Sequence, residues 1–366
     1  MQVTVVGGGI GGLTTAWSLT ARGHAVTLLE QAAEIPNPLG ASGDQHRIIR
    51  RGYAAADGYA TLLDEAFAAW EALWRDLGAR HYAETGVLCL SQYEGDEADQ
   101  FTAGYDRIGY AYERLSPAEA QARFPFVAAA AIRYATLVAE GGALLCQRIA
   151  AGLVAWLRAR GAVLRGGARV AALDARTATV TLEAGERITA DRLVVAAGGW
   201  TTKLLPDLLP VLETRRTHVA YAEPPADLRH AWESAPVLLS VGARAEAWAI
   251  PPVCGTGLKF GSGHMRYQAD ADVLRPEGEA TGRRVLRHFA PALARTEEYR
   301  IASLRECVYT FTADSCFWGT QRDRMTVVSA CSGHGYKFGA AVGRRVADAV
   351  ETGDTDSFTH WLRAQP

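Results

Sequence analysis

Several reactive side chains of this chain sit in settings that would give them chemical work. Lys259 lies inside the apolar, glycine-rich stretch Gly255-Thr256-Gly257-Leu258-Lys259-Phe260-Gly261, where an ammonium is costly unless it has a polar task. A fixed cation of this kind can stabilise negative charge that develops beside it. Cys307 opens Cys307-Val308-Tyr309-Thr310-Phe311-Thr312, and strand alternation predicts Cys307, Tyr309 and Phe311 on one face and Glu306, Val308 and Thr310 on the other. Thiolate chemistry there needs a positive field, from Arg305 or from a bound group. Arg50 offers a planar fork and Lys337 a point charge at the start of the last long helix, a pair suited to the carboxylate of a small molecule. The bland alternatives are a solvated lysine on an edge strand, a small buried cysteine and surface cations, Arg51 among them.

The elements that must position these groups begin at the first residues. Val3-Thr4-Val5-Val6 is a short apolar run that breaks into Gly7-Gly8-Gly9-Ile10-Gly11-Gly12, and Gly7, Gly9 and Gly12 match G-x-G-x-x-G. The first glycine allows a tight turn, the second a close approach to a pyrophosphate, and the third close packing of helix on strand. The Leu13–Ala21 helix aims its N-terminal N–H groups at phosphate. Ala25–Leu29 reads as the second strand, and Glu30 at its end as the acceptor of ribose hydroxyls. Dinucleotide binding follows from strand, helix, strand and acid in register. Further along, residues 144–160 read as a helix, residues 168–173 and 177–182 as a strand pair, and Arg192–Ala197 as a buried strand ending in Gly198 and Gly199 over the ligand crevice. Met325–Ala330 is a final strand, followed by the turn Ser332-Gly333-His334-Gly335-Tyr336-Lys337 and a helix from Gly339 to Val350.

Composition bounds the partners. At 366 residues with 49% hydrophobic content and a formal net charge of −2, the chain can bury a sizeable core but has no basic field for nucleic acid or anionic membrane. A small-molecule partner and a cytoplasmic location are expected, because no leader precedes the first strand and no apolar run is long enough to span a bilayer. Cys89, Cys146, Cys254, Cys307, Cys316 and Cys331 show no C-x-x-C or metal-ligand spacing, so neither a disulfide framework nor a metal site is expected. The expected fold is α/β, with a Rossmann-like dinucleotide domain from residues 1–80, 140–218 and 322–366. Residues 81–139 and 219–321, richer in Tyr, Trp and Pro, are expected to form a second domain with one antiparallel substrate-binding sheet.

Four segments carry a family resemblance: Asp44-Gln45-His46-Arg47-Ile48-Ile49-Arg50, Gly255 to Gly261, Glu306 to Asp314, and Ser332 to Lys337. In order and spacing the chain resembles the monomeric sarcosine oxidase and N-methyltryptophan oxidase group of the D-amino-acid-oxidase-like flavoproteins. The resemblance implies FAD rather than NAD, joined by a thioether from Cys307 to the 8α carbon of the flavin. It implies an FAD contact set of Gly7, Gly9, Ile10, Gly12, Glu30, Ser42, Arg47, Val170 and Gly198 from the first part of the chain. Gly333, His334, Gly335 and Lys337 complete that set, with the last helix near the flavin pyrimidine oxygen. Arg47, one helical turn before Arg50, is implied against the flavin ring. Lys259 matches an oxygen-activating lysine, Arg50 and Lys337 hold a substrate carboxylate, and Tyr309 and Trp248 line the pocket.

The implied reaction is oxidation of the C–N bond of an amino acid or secondary amine, N-methyl or cyclic, to an imine, with O2 reduced to H2O2 by a monomeric enzyme. The neutral amine delivers a hydride equivalent, and no dedicated base is expected. Two alternatives share the fold: a dehydrogenase passing electrons to another acceptor, and a non-catalytic flavin-binding module. The chain departs from the family pattern at His46, where a smaller hydroxyl residue is usual, at Trp248 for a tyrosine, at Ala313 for a proline and at Trp318-Gly319. These departures point away from sarcosine towards a bulkier, cyclic or aromatic substrate. His264 and Cys316 have no assigned role.

Overall fold

The computed structural model describes residues 1–54, 57–242, 244–273 and 278–364. Its first sheet has six strands in the order Trp318–Arg322, Met325–Ser329, Arg192–Val195, Gln2–Val6, Ala25–Leu29 and Val163–Arg165, parallel except at the Trp318–Arg322 edge. Period-two alternation sorts these short runs onto two faces. Val3, Val5, Leu28 and Val194 pack into one core with the helices Ile10–Ala21, Cys146–Ala159 and Gly339–Thr352. Val6, Leu29, Leu193 and Val195 face the other way, onto Val180 and Leu182 of an antiparallel three-strand meander. Each such burial stabilises the fold by about 1.5–3 kcal/mol. The Trp318–Arg322 strand lies within the segment expected to form the second domain, yet the short Asp323-Arg324 turn folds it back on Met325–Ser329.

The second large sheet has eight strands: Arg300–Phe311, Glu213–Glu223, Lys259–Gln268, Ala247–Ile250, Val237–Val241, Val87–Ser91, Tyr134–Val138 and Glu113–Leu115. Both inserted segments contribute to it. It is mixed rather than purely antiparallel, because Val237–Val241 runs parallel to Val87–Ser91. These two strands come from different segments, so no hairpin forces them to oppose. Lys259 occupies a central strand, paired with Tyr221 on one side and Ile250 on the other, and is fully buried. It is therefore not a solvated edge-strand lysine.

Two features bring the distant parts of the site together. The Gly339–Thr352 helix lies so close to the Ile10–Ala21 helix that a Cβ on Gly343 would fall 2.3 Å from a Thr14 backbone atom. Thr14 Oγ1 also donates to Gly339 O at 2.8 Å. The late glycine turn is thereby held beside the early one. Residues Arg47–Arg50, expected as a helical turn, instead form a strand paired with Gly141–Leu144. The i,i+3 spacing, which would share a helix face, splits Arg47 and Arg50 between opposite faces of a strand. Among the described residues no helix is long and apolar enough to cross a membrane.

Candidate active site

A cavity of about 330 Å³ and a second of about 300 Å³ share Gly7, Glu30, Ala197 and Trp200, forming one elongated cleft at the carboxyl ends of the parallel strands. Its floor is backbone. Gly7 has φ +108°, and a Cβ on Gly12 would fall 1.8 Å from Gly7 O. Glu30 accepts from Gly8 N at 2.7 Å and from Ala32 N at 3.0 Å, so its carboxylate is fixed against the glycine turn. Ile10 N donates to Ser42 Oγ at 2.8 Å, and no side chain caps Gly9 at the helix start. Gly198, in a left-handed turn, lines the first cavity with Gly9, Ile10 and Ser42, and Val170 lines the second. A side-chain-free cradle, an open helix N-terminus and a fixed acid are the donor and acceptor set that a dinucleotide requires, and they fit FAD.

The second glycine turn closes the other end. Gly333 adopts φ +79°, and a Cβ on Gly335 would fall 1.9 Å from Ala330 O, so this backbone needs glycine at both places. His334 stacks on Phe317 and meets Tyr59 edge-on, each at 4.7 Å. Its Nε2 lies 3.0 Å from Ser315 O, which can only accept, so Nε2 carries the proton and Nδ1 accepts from the Tyr53 hydroxyl at 3.0 Å. Burial, then Lys337, pushes His334 down to about 3, which keeps this neutral tautomer. Lys337 Nζ donates to Tyr53 Oη at 3.1 Å and to His334 O at 2.8 Å. Burial, then Arg50, holds its ammonium well below the ordinary lysine range.

Arg50 lies 4.7 Å above the Tyr53 ring and 4.6 Å from that of Phe101, and among the described residues its buried Nη1 has no hydrogen-bond partner. Arg50 and Lys337, the pair expected from sequence to hold a carboxylate, thus converge on Tyr53 and both line the cavity. A buried guanidinium nitrogen lacking a partner is costly until an acceptor arrives.

Lys259 and Cys307 lie one layer deeper and are absent from the cavity lining. Lys259 is ion-paired to Asp44, donates to His46 O at 3.0 Å, and stands 5.3 Å from the Trp248 ring. Asp44 also accepts from Arg47 at 2.7 Å and from the Tyr221 hydroxyl at 2.6 Å. Burial pushes the Asp44 carboxyl up, but Lys259 and Arg47 hold it well below its ordinary range. The cation at the Cys307 thiol is Arg47, whose Nη2 is 3.4 Å from Sγ. Arg305, nearer in sequence, is exposed. Tyr309 lines the cavity, burial raising its hydroxyl, while Val308 packs against Trp200. Cys331, given no role from sequence, also lines the cavity.

Sequence reasoning placed Trp248 in the pocket, and the structure shows what admits it: the indole lies across Gly261, where a Cβ would fall 2.3 Å from Cζ2. It missed Tyr53, Glu97, Glu246 and Arg266, all at or around the cavity. His46 is fully buried, with Nε2 3.2 Å from Gly257 O and Nδ1 unpartnered. His264 is exposed and faces His288, and Cys316 is outside the cavity lining. Among the described residues no cluster of His, Cys, Asp and Glu could hold a metal ion.

Comparison with known proteins agrees with this geometry. The chain is 27% identical over 351 residues to peroxisomal sarcosine oxidase of Homo sapiens, covering 93% of this chain and 89% of that one. It is also 27% identical over 371 residues to monomeric sarcosine oxidase of Bacillus sp. (strain B-0618), covering 97% and 93%. The open form of NikD, described as an unusual amino acid oxidase essential for nikkomycin biosynthesis, shares the fold. Its TM-score is 0.81 at 22% identity, covering 100% of this chain and 96% of that one. The family of FAD dependent oxidoreductases matches from residue 2 to residue 349, and the chain belongs to it.

Proposed function

We propose that this protein oxidises the C–N bond of an amino acid or secondary amine, N-methyl or cyclic, using FAD and passing the electrons to O2. The observation that carries this reading is the convergence of Arg50, with its unpartnered Nη1, and Lys337 on Tyr53 at the end of the FAD cleft. When bound, FAD supplies the two-electron acceptor. The glycines Gly7, Gly9, Gly12, Gly198, Gly333 and Gly335, with Ile10, Glu30, Ser42, Arg47, Val170, His334 and Lys337, form its proposed contact set, and Cys307 its tether.

Arg50 and Lys337 would take the substrate carboxylate and fix the orientation of the amine. Trp248 and Tyr309 wall the cavity and exclude water. No base is assigned; the substrate reacts from the neutral fraction of its amine. Lys259, kept in place by Asp44, supplies the fixed positive charge that favours reduction of O2. The proposed division assigns residues 1–80, 140–218 and 322–366 to the cofactor domain and the remainder to the substrate domain, except that strand Trp318–Arg322 joins the cofactor sheet and strand Glu213–Glu223 the substrate sheet, in a monomer. The deciding experiment is anaerobic addition of N-methyl and cyclic amino acids to the flavin-loaded protein. Bleaching of the visible spectrum, followed by stoichiometric peroxide on admitting air, is expected. A spectrum that no amine bleaches would remove the proposal.

A further inference from the structure

The substrate end of the cavity holds an acid that carboxylate binding and amine orientation do not use. Glu97 is the first residue of the Glu97–Ile108 helix, whose cap Asp96 accepts from Asp99 N at 3.1 Å. The Glu97 side chain lines the cavity together with Arg50, Trp248, Glu246 and Arg266. Arg266 and Glu246 approach each other at 3.3 Å, which leaves Glu97 apart. Among the described residues its carboxylate makes no hydrogen bond and no ion pair, and Leu239, Trp248 and Ile250 are among the apolar residues that line the same cavity. Burial pushes its carboxyl up, and Arg50 is the strongest influence opposing this.

We infer that Glu97 recognises a second, cationic group on the substrate, so that the preferred substrates are amino acids carrying a basic substituent. The inference rests on the proposed amine oxidation at this site. Once a substrate carboxylate occupies Arg50, the cation that balanced Glu97 is itself neutralised. An apolar substituent then leaves a half-buried carboxylate without a partner, whereas an ammonium or guanidinium restores the balance through a charge-assisted hydrogen bond. Arg50 and Lys337 are then both taken by the substrate carboxylate and Arg266 by Glu246, which leaves Glu97 with no cation of its own among the described residues. Discrimination by a buried polar group left unpaired is steep.

The test is a matched pair of racemic substrates, Nα-methyl-lysine and Nα-methyl-norleucine, which differ by one terminal amine. In the FAD-loaded enzyme, kcat/KM for the lysine derivative should exceed that for the norleucine derivative by about 10- to 100-fold. The ratio should collapse towards one in Glu97→Gln and persist in Glu97→Asp. An independent readout is calorimetric binding of 6-aminohexanoate against hexanoate, with the amine favoured in the wild type and not in Glu97→Gln. A norleucine derivative oxidised as well as the lysine derivative, or a preference that survives Glu97→Gln, would overturn the inference and leave amine oxidation standing. Glu97-dependent binding of 6-aminohexanoate with oxidation of neither amine would support the inference and overturn the amine-oxidase reading instead.

Discussion

Asp44→Asn keeps the shape of the side chain and removes the one carboxylate that touches Lys259. In the native cluster Lys259 and Arg47 share that carboxylate in a site from which water is excluded; burial, then Arg47, already lowers Lys259 from its ordinary 10.5, while Asp44 works against both. Removing one partner of a buried ion pair costs about 3–5 kcal/mol. Expressed as proton loss, that cost moves Lys259 further below its ordinary range, because burial and Arg47 then act without Asp44 to oppose them. Where the lysine is neutral the fixed charge is gone, a loss worth about 10²- to 10³-fold if its contribution matches that of a single oxyanion donor. The assay is stopped-flow mixing of dithionite-reduced enzyme with aerated buffer between pH 6 and 9, with anaerobic reduction by substrate as the control. The wild type should be flat across this range. Asp44→Asn should be slow at pH 9 and recover on acidification, with substrate reduction much less affected. A correctly folded, flavin-loaded variant whose oxygen reaction matches the wild type at every pH would refute the role given to the Asp44–Lys259 pair.

Acid precipitation of the purified protein should leave yellow colour in the pellet, lose it in Cys307→Ser and retain it in Cys331→Ser; the opposite pattern would assign the tether to the cavity thiol Cys331. Because burial and Arg50 hold Lys337 well below the ordinary lysine range, a bound carboxylate should draw a proton onto it. Calorimetry in buffers of different ionisation enthalpy should report net proton uptake on binding, absent in Lys337→Met. His46, fully buried, is pushed down to about 3 by burial and then by Lys259. The unfolded chain therefore binds the extra proton, and stability present above about pH 6.5 is lost as pH falls towards 3. This site alone should account for about 2 kcal/mol between pH 7 and pH 5 in urea unfolding, and a flat profile would contradict a neutral buried His46.

The cofactor cradle was legible because its logic is local. Gly7 to Gly12 and Glu30 combine positive φ, close backbone approach and the end of a strand within one strand-helix-strand unit. Lys259 was legible through its apolar flanks. What decides its charge was not, since Asp44 stands on a different element. Local proximity misled at Cys307: Arg305 is near in sequence and exposed, whereas Arg47 reaches the thiol from 260 positions away. Glu97 reads in sequence as an ordinary acid in the first turn of a helix. Tyr53 reads as one of many tyrosines until Lys337 and His334 meet at its hydroxyl. Arg47 and Arg50 show the cost of a wrong period, because an i,i+3 pair changes from same face to opposite faces when a helix becomes a strand.

The close contact between the Ile10–Ala21 and Gly339–Thr352 helices joins residues 325 positions apart. On a ribosome the early glycine turn emerges long before its counterpart exists, and the Met325–Ser329 strand that joins Arg192–Val195 is also made late. A nascent chain therefore presents half a cradle for most of its synthesis and cannot retain FAD firmly. Acquisition of colour marks arrival of the Gly339–Thr352 helix. Fragments released early should be pale and protease-sensitive, so flavin content measures how much of a preparation has been translated and folded through its final helices.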